Sequence, residues 1–264
     1  MILQARCEGA GPAVVLLHGL FGAGRNLGGL ARGLSGQARV ISFDLRNHGQ
    51  SGHAAAMDYE TMAADVAESL AGQGVERAAI VGHSMGGKTA MALALSYPAL
   101  VARLAVLDIA PVSYGAAAPV SYGAAHGQAA YVVAMRGLPL VPDLTRAAAD
   151  AALAAAVPEP PLRAFLLNNL VLGAAPHWRL GLGEIAAALP DLMAWRDPPG
   201  APPYPGPALF LRGGASDYVP DSAHAPIMQR FPNAKLQTVA GASHWLHADH
   251  PAEVLEALRR FLFA

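Results

Sequence analysis

The chain has 264 residues, 53% hydrophobic and 14% charged, with a formal net charge of −1 from 18 basic and 19 acidic side chains. This excludes a disordered segment and allows one large core, or one core carrying an insertion. No basic face is suggested, which argues against a nucleic-acid partner, and the single cysteine, Cys7, excludes an internal disulfide and suits a reducing compartment.

A first strand is expected over residues 2–7, making Cys7 a half-buried strand residue rather than a reactive thiol. No basic region leads into an apolar one at the start, so no signal peptide is predicted. No window of about 20 residues reads as a membrane span, and a cytoplasmic protein is expected. Residues 13–17 form a second apolar run that ends in His18-Gly19-Leu20-Phe21-Gly22. A tight glycine-rich turn can aim backbone N–H groups at a developing oxyanion. Leu20 is the expected donor there, Phe21 the fallback, and His18 a brace. A run at 40–43 leads into Asp44, Arg46, Asn47 and His48, read as a polar network bracing a loop, with substrate contact as the alternative. A helix is predicted over 61–71.

The apolar run 78–81 enters Gly82-His83-Ser84-Met85-Gly86, and a helical pattern follows over 85–97. Strand, sharp turn and helix are the setting in which G-x-S-x-G becomes a nucleophile elbow. The serine is held in a strained conformation, and the glycines leave room for the tight packing around it. The Met85 amide is the natural second oxyanion donor. Lys88, in the first turns of the elbow helix, reads as structural. The run 104–109 carries Asp108 near its end.

The alternation of strand and helix stops between residues 112 and 207. Helices are predicted there over 128–136, 144–156, 162–170 and 189–195, with no strong strand. Residues 110–117 and 118–125 both read APVSYGAA, a tandem copy expected in a surface loop. Residues 198–207 hold six prolines and read as a stiff connector. The sheet pattern then resumes at 208–211 and 236–239. Between these runs a Gly213-Gly214-Ala215-Ser216-Asp217 turn carries a second acid. Gly241-Ala242-Ser243-His244 follows the last strand, and a final helix is predicted over 252–263, after Pro251, with Asp249 as its cap.

The short apolar runs are near-continuous, as in strands buried on both faces. Alternating with helices, they predict a doubly wound, mostly parallel α/β sheet with a helical cap inserted between two strands. The expected divisions are residues 1–111 and 208–264 for the core and 112–207 for the cap and connector. Loops after parallel strands share one edge of the sheet, which brings His244 to Ser84 as the candidate base. Asp108 and Asp217 both reach that edge, and spacing alone does not choose between them as the acid. His244, His247 and His250 could be read as a metal cluster, but no carboxylate or thiol set accompanies them. No metal or organic cofactor is expected, and His247 and His250 read as helix-end or surface positions.

Several stretches resemble one family: HGLFG at 18–22, DLRNHGQS at 44–51, GHSMGGKTAM at 82–91, LDIAPV at 107–112, FPNAK at 231–235 and GASHWLHAD at 241–249. The chain resembles the α/β-hydrolases, in particular small esterases of the YbfF type and mitochondrial abhydrolase-domain proteins. The resemblance implies Ser84 as nucleophile, His244 as base and Asp108 as acid. The group carries a serine like Ser216 in the later turn, and this chain adds Asp217 beside it, which keeps Asp217 as the alternative acid. The implied activity is hydrolysis of a small-molecule carboxylic ester of short to medium acyl chain through an acyl-enzyme. Thioesters, lactones, C–C cleavage and perhydrolysis use the same constellation. A ligand-binding protein on an inert hydrolase fold is the rival from another class. The expected substrate pocket includes Phe21, Tyr131, Met135, Phe165, Leu166, Trp178 and Trp245.

Overall fold

The computed structural model describes residues 1–114 and 124–264. Most of the duplicated APVSYGAA segment therefore lies outside the described residues. The strands are β1 (Ala5–Glu8), β2 (Ala13–Leu17), β3 (Arg39–Phe43), β4 (Ala78–His83), β5 (Val101–Leu107), β6 (Leu170–Val171), β7 (His177–Trp178), β8 (Ala208–Gly213) and β9 (Ala234–Val239). The helices are α1 (Gly28–Leu34), α2 (Tyr59–Gly72), α3 (Met85–Ser96), α4 (Ala124–Gly137), α5 (Arg146–Leu153), α6 (Pro160–Leu167), α7 (Leu182–Met193), α8 (His224–Arg230), α9 (Leu246–Asp249) and α10 (Pro251–Leu262).

Among the described residues seven strands form one sheet in the order β1-β3-β2-β4-β5-β8-β9. Only β1 runs antiparallel, against β3. The chain builds outward from β2 to β3, then crosses back to place β4 on the other side of β2. The order reverses between β2 and β4, and at such a switch point the carboxyl ends of the strands open a crevice. The glycine-rich turn after β2 and the elbow after β4 both lie there.

Both faces of the sheet are apolar because adjacent residues of each strand point opposite ways. Val14, Leu16, Val81, Ala105 and Leu107 pack with Leu30 and Leu34 of α1 and Val254, Leu258 and Leu262 of α10. Val15, Leu17, Ile80, Leu104 and Val106 pack against Val66 and Leu70 of α2, Met91 and Leu95 of α3, and Ile227 of α8. The near-continuous runs seen in the sequence follow from this double burial. Helices α4 to α7 lie in the stretch between β5 and β8, which are neighbours in the sheet.

Several local expectations are corrected. The first strand covers Ala5–Glu8 rather than 2–7. Residues ahead of it are held by side chains instead: Leu3 N–H donates to Ser69 Oγ and Gln4 N–H to Ser51 Oγ. Cys7 is exposed, because β1 is an edge strand. β5 stops at Leu107, since Asp108 takes a positive φ of 50° that leaves the strand conformation. Helix α7 starts at Leu182, a full two turns before the predicted 189. Leu182, Ile185, Ala188 and Leu192 bury one stripe, and the glycines at 181 and 183 hid its beginning. β6 and β7 pair as a short ribbon where no strand was predicted. Asp249 does not cap α10, whose N-cap is His250; its carboxylate accepts from the Ser243 amide and hydroxyl instead. Among the described residues no helix is long and apolar enough to cross a membrane.

Candidate active site

Ser84 stands between β4 and α3 with φ 53° and ψ −119°. A side chain rarely tolerates this region, and the surroundings over-determine it. A Cβ on Gly82 would lie 2.2 Å from the Gly86 carbonyl oxygen, and one on Gly86 would lie 2.2 Å from that of Leu17. The two glycines are therefore steric requirements of the turn. The Ser84 N–H donates to the Leu107 carbonyl at 3.1 Å, tying the turn to the end of β5.

His244 lies in the loop between β9 and α9. Its Nε2 is 3.0 Å from Ser84 Oγ, and its Nδ1 is 2.8 Å from Asp108 Oδ2. A carboxylate oxygen accepts, so Nδ1 carries the hydrogen and Nε2 is left to accept from the serine hydroxyl. The Tyr218 ring stacks on the imidazole at 3.9 Å between centroids, and the His83 ring lies at 4.8 Å. His83 Nε2–H donates to the His244 carbonyl at 2.8 Å, fixing the backbone of the loop.

Asp108 is fully buried and has three donors among the described residues. Besides His244, the Gly213 amide donates to Oδ1 at 2.8 Å and the Ser216 hydroxyl donates to Oδ2. A buried carboxylate is tolerable only when so paired. Asp217 is exposed, and it is its neighbour Ser216 that turns inward to the carboxylate.

The turn after β2 is braced by two buried histidines. The Phe21 N–H donates to His48 Nε2 at 3.1 Å, so the fallback oxyanion donor is already committed. Phe21 sits at φ 60°, and its carbonyl accepts from Asn169 Nδ2 at 2.7 Å. The Leu20 amide has no internal acceptor among the described residues. Met85 begins α3, so its N–H has no acceptor within the helix. His18 Nε2 accepts from the Leu45 amide at 3.0 Å, while Nδ1–H donates to the Gly19 carbonyl. His48 Nδ1–H donates to the Arg46 carbonyl, and Arg46 makes a two-pronged ion pair with buried Asp65 at 2.6 and 2.7 Å. Asp44 accepts from the Gly24 and Gln50 amides.

Both rings accept through Nε2 and so must be neutral. Burial pushes His18 down to about 4 and His48 down to about 3. Burial likewise lowers His247 to about 4 and holds His83 well below 6.5. An unfolded imidazole titrates near 6.5. Below that pH the unfolded chain takes up protons that the folded chain refuses. Stability from these groups is complete above about pH 6.5 and is lost as pH falls toward about 4. The urea midpoint should therefore drop steadily between about pH 7 and 5, before most carboxylates titrate. A flat midpoint over that interval would contradict the neutral-histidine bracing.

Lys88 is buried, and its ammonium donates to the Met193 and Ala194 carbonyls at 3.2 and 2.8 Å. It lies over the Tyr114 and Tyr59 rings, and burial lowers it to about 7. The side chain thus ties the end of α7 to the elbow helix.

A cleft opens at Ser84. Phe21, Tyr131, Phe165 and Trp245 line it, together with Leu27, Leu162, Gln128 and Tyr218. Met135, Leu166 and Trp178 are corrected. Met135 and Leu166 are fully buried in the core, and Trp178 turns its Nε1–H to the Met135 carbonyl. Leu162 precedes Phe165 by three residues on α6, a helical spacing that could have found it. A smaller cavity shares Leu20, Ser84, Gln128 and Tyr218 and runs toward Lys88, Tyr114 and Met193. The His247 ring packs on His83 at 4.5 Å, and His250 lies 3.8 Å from Glu253. Among the described residues no group of three or more His, Cys, Asp or Glu side chains could hold a metal ion.

Residues 12–251 match the family model of the alpha/beta hydrolase fold. The chain is 42% identical to the sn-1-specific diacylglycerol lipase ABHD11 of Mus musculus, over 95% of this chain and 81% of that protein. It is 36% identical to esterase YbfF of Escherichia coli strain K12, over 94% of this chain and 92% of that one. A solved marine microorganism esterase superposes with a TM-score of 0.93 at 35% identity, covering 99% of both chains.

Proposed function

The chain belongs to the α/β-hydrolase family, and from that premise we propose that it is a serine carboxylester hydrolase working through an acyl-enzyme. The observation that carries this reading is the hydrogen-bonded series from Ser84 Oγ to His244 to Asp108, mounted on a strained elbow. Ser84 Oγ attacks the ester carbonyl carbon while its proton passes to His244 Nε2. The Leu20 and Met85 amides receive the oxyanion, and Asp108 stabilises the imidazolium. The tetrahedral intermediate expels the alcohol, which takes the proton from His244. Water then attacks the acyl carbon, yields a proton to His244, and Ser84 leaves with that proton restored.

The helices between β5 and β8 act as a cap over the cleft. Tyr131, Leu162 and Phe165 supply apolar walls to a space of limited size. The substrate is therefore a small ester with a short to medium acyl chain. An exposed free cysteine agrees with a cytoplasmic, reducing setting. A series of p-nitrophenyl esters of increasing acyl length tests the reading. Each methylene in an apolar pocket changes binding by about 1–3 kcal/mol, so kcat/KM should pass through a graded optimum at short to medium length. Equal kcat/KM on butyrate and palmitate esters would overturn the chain-length assignment, and no turnover of any ester would overturn the function.

A further inference from the structure

The two cavities that meet at Ser84 have one side chain of the helical segment in common among the described residues, Gln128 of α4. The other groups they share have work already: Ser84 and the Leu20 amide face the reacting carbonyl, and the Tyr218 ring stacks on His244. Gln128 Oε1 is shielded from solvent and has no hydrogen-bond donor among the described residues. An acceptor buried in this way forfeits its hydration, whereas a methionine or leucine would fill the same space without that penalty. A polar atom kept unpaired at the point where both arms of a substrate diverge is matched by a donor on the substrate itself.

Resting on the esterase reading above, we propose that Gln128 is a specificity-determining residue that accepts a hydrogen bond from a hydroxyl carried by the substrate close to its scissile ester. The donor is neutral. Among the described residues neither cavity is lined by an aspartate or glutamate that would recognise a cation, and a carbonyl oxygen repels an anion. Because Gln128 lines both cavities, the hydroxyl sits on either the alcohol or the acyl side, and two matched pairs of esters separate these sources.

In the first pair, 2-hydroxyethyl butanoate is compared with propyl butanoate. In the second, ethyl 3-hydroxybutanoate is compared with ethyl 3-methylbutanoate. Each pair exchanges a hydroxyl for a methyl of similar size. The unaltered protein should favour the hydroxylated member of one pair by about tenfold in kcat/KM. Gln128→Met, or Gln128→Leu as a second variant, should bring that ratio to within about twofold of unity. Ratios near unity in both pairs for the unaltered protein overturn the proposal. A preference that survives in a folded Gln128 variant overturns it as well. A protein that hydrolyses p-nitrophenyl esters but shows neither preference refutes only this assignment, whereas one that hydrolyses no ester refutes the esterase reading beneath it.

Discussion

Ser84→Ala is expected to fold normally and to lose ester turnover by a factor on the order of 10⁶ in kcat. The expected survival of the fold follows from where the elbow's bonds come from. The Ser84 amide donates to the Leu107 carbonyl, and the Ser84 carbonyl accepts from the Lys88 amide at 3.0 Å. Both are backbone bonds that alanine keeps. The φ of 53° is imposed by the turn, and alanine, which also has a Cβ, feels the same strain as serine. What disappears is the oxygen 3.0 Å from His244 Nε2, and with it the covalent step. The residual rate reflects the oxyanion donors and substrate binding alone. A fluorophosphonate probe should label the unaltered protein and leave Ser84→Ala unlabelled, with matching thermal unfolding curves for the two. Near-normal turnover by a folded, purified Ser84→Ala protein would refute the mechanism.

Asp108→Asn is expected to lower kcat by about 10⁴, the cost known for the equivalent change in serine proteases. The amide keeps the shape of the carboxylate. Its oxygen can still accept from the Gly213 amide, which leaves its NH₂ facing His244 Nδ1. That contact demands an unprotonated Nδ1 and moves the imidazole hydrogen to Nε2, where it can no longer accept from Ser84. The support for the imidazolium is lost at the same time. Asp217→Asn changes an exposed side chain and should alter kcat by no more than about twofold. Steady-state kinetics of the two variants decide the matter. A large loss in Asp217→Asn with little loss in Asp108→Asn would reverse the roles assigned to the two acids.

The difference between these aspartates marks the boundary of what the sequence conveys. Asp108 and Asp217 each follow an apolar run and precede a loop, and each lies at the carboxyl edge of the sheet. No local feature separates them. Only the folded chain puts Asp108 out of solvent beneath His244, 136 positions away, and turns Ser216 rather than Asp217 toward it. The two candidate donors after β2 were likewise indistinguishable as a string. Phe21 is occupied because His48, 27 positions along the chain, accepts its amide hydrogen. Tyr131 and Phe165 reach the cleft while Met135 and Leu166, one helical turn or one residue away, face the core. A helix pattern gives its period but not which neighbours will stand opposite each face.

The sequence by itself determined the α/β alternation, the mostly parallel sheet and the elbow at Ser84. Those features depend on short-range sterics and on apolar runs buried from both sides, which a few neighbouring residues encode. It also marked His244 as the candidate base, by its place after the last strand. The tertiary structure alone decided which carboxylate meets the imidazole, that the Phe21 amide is committed to His48, and that Gln128 keeps an oxygen unpaired among the described residues between two cavities. Each of these depends on pairing between side chains and loops distant along the chain. Such pairing is set by strand order and helix rotation, and no window of the sequence contains both partners.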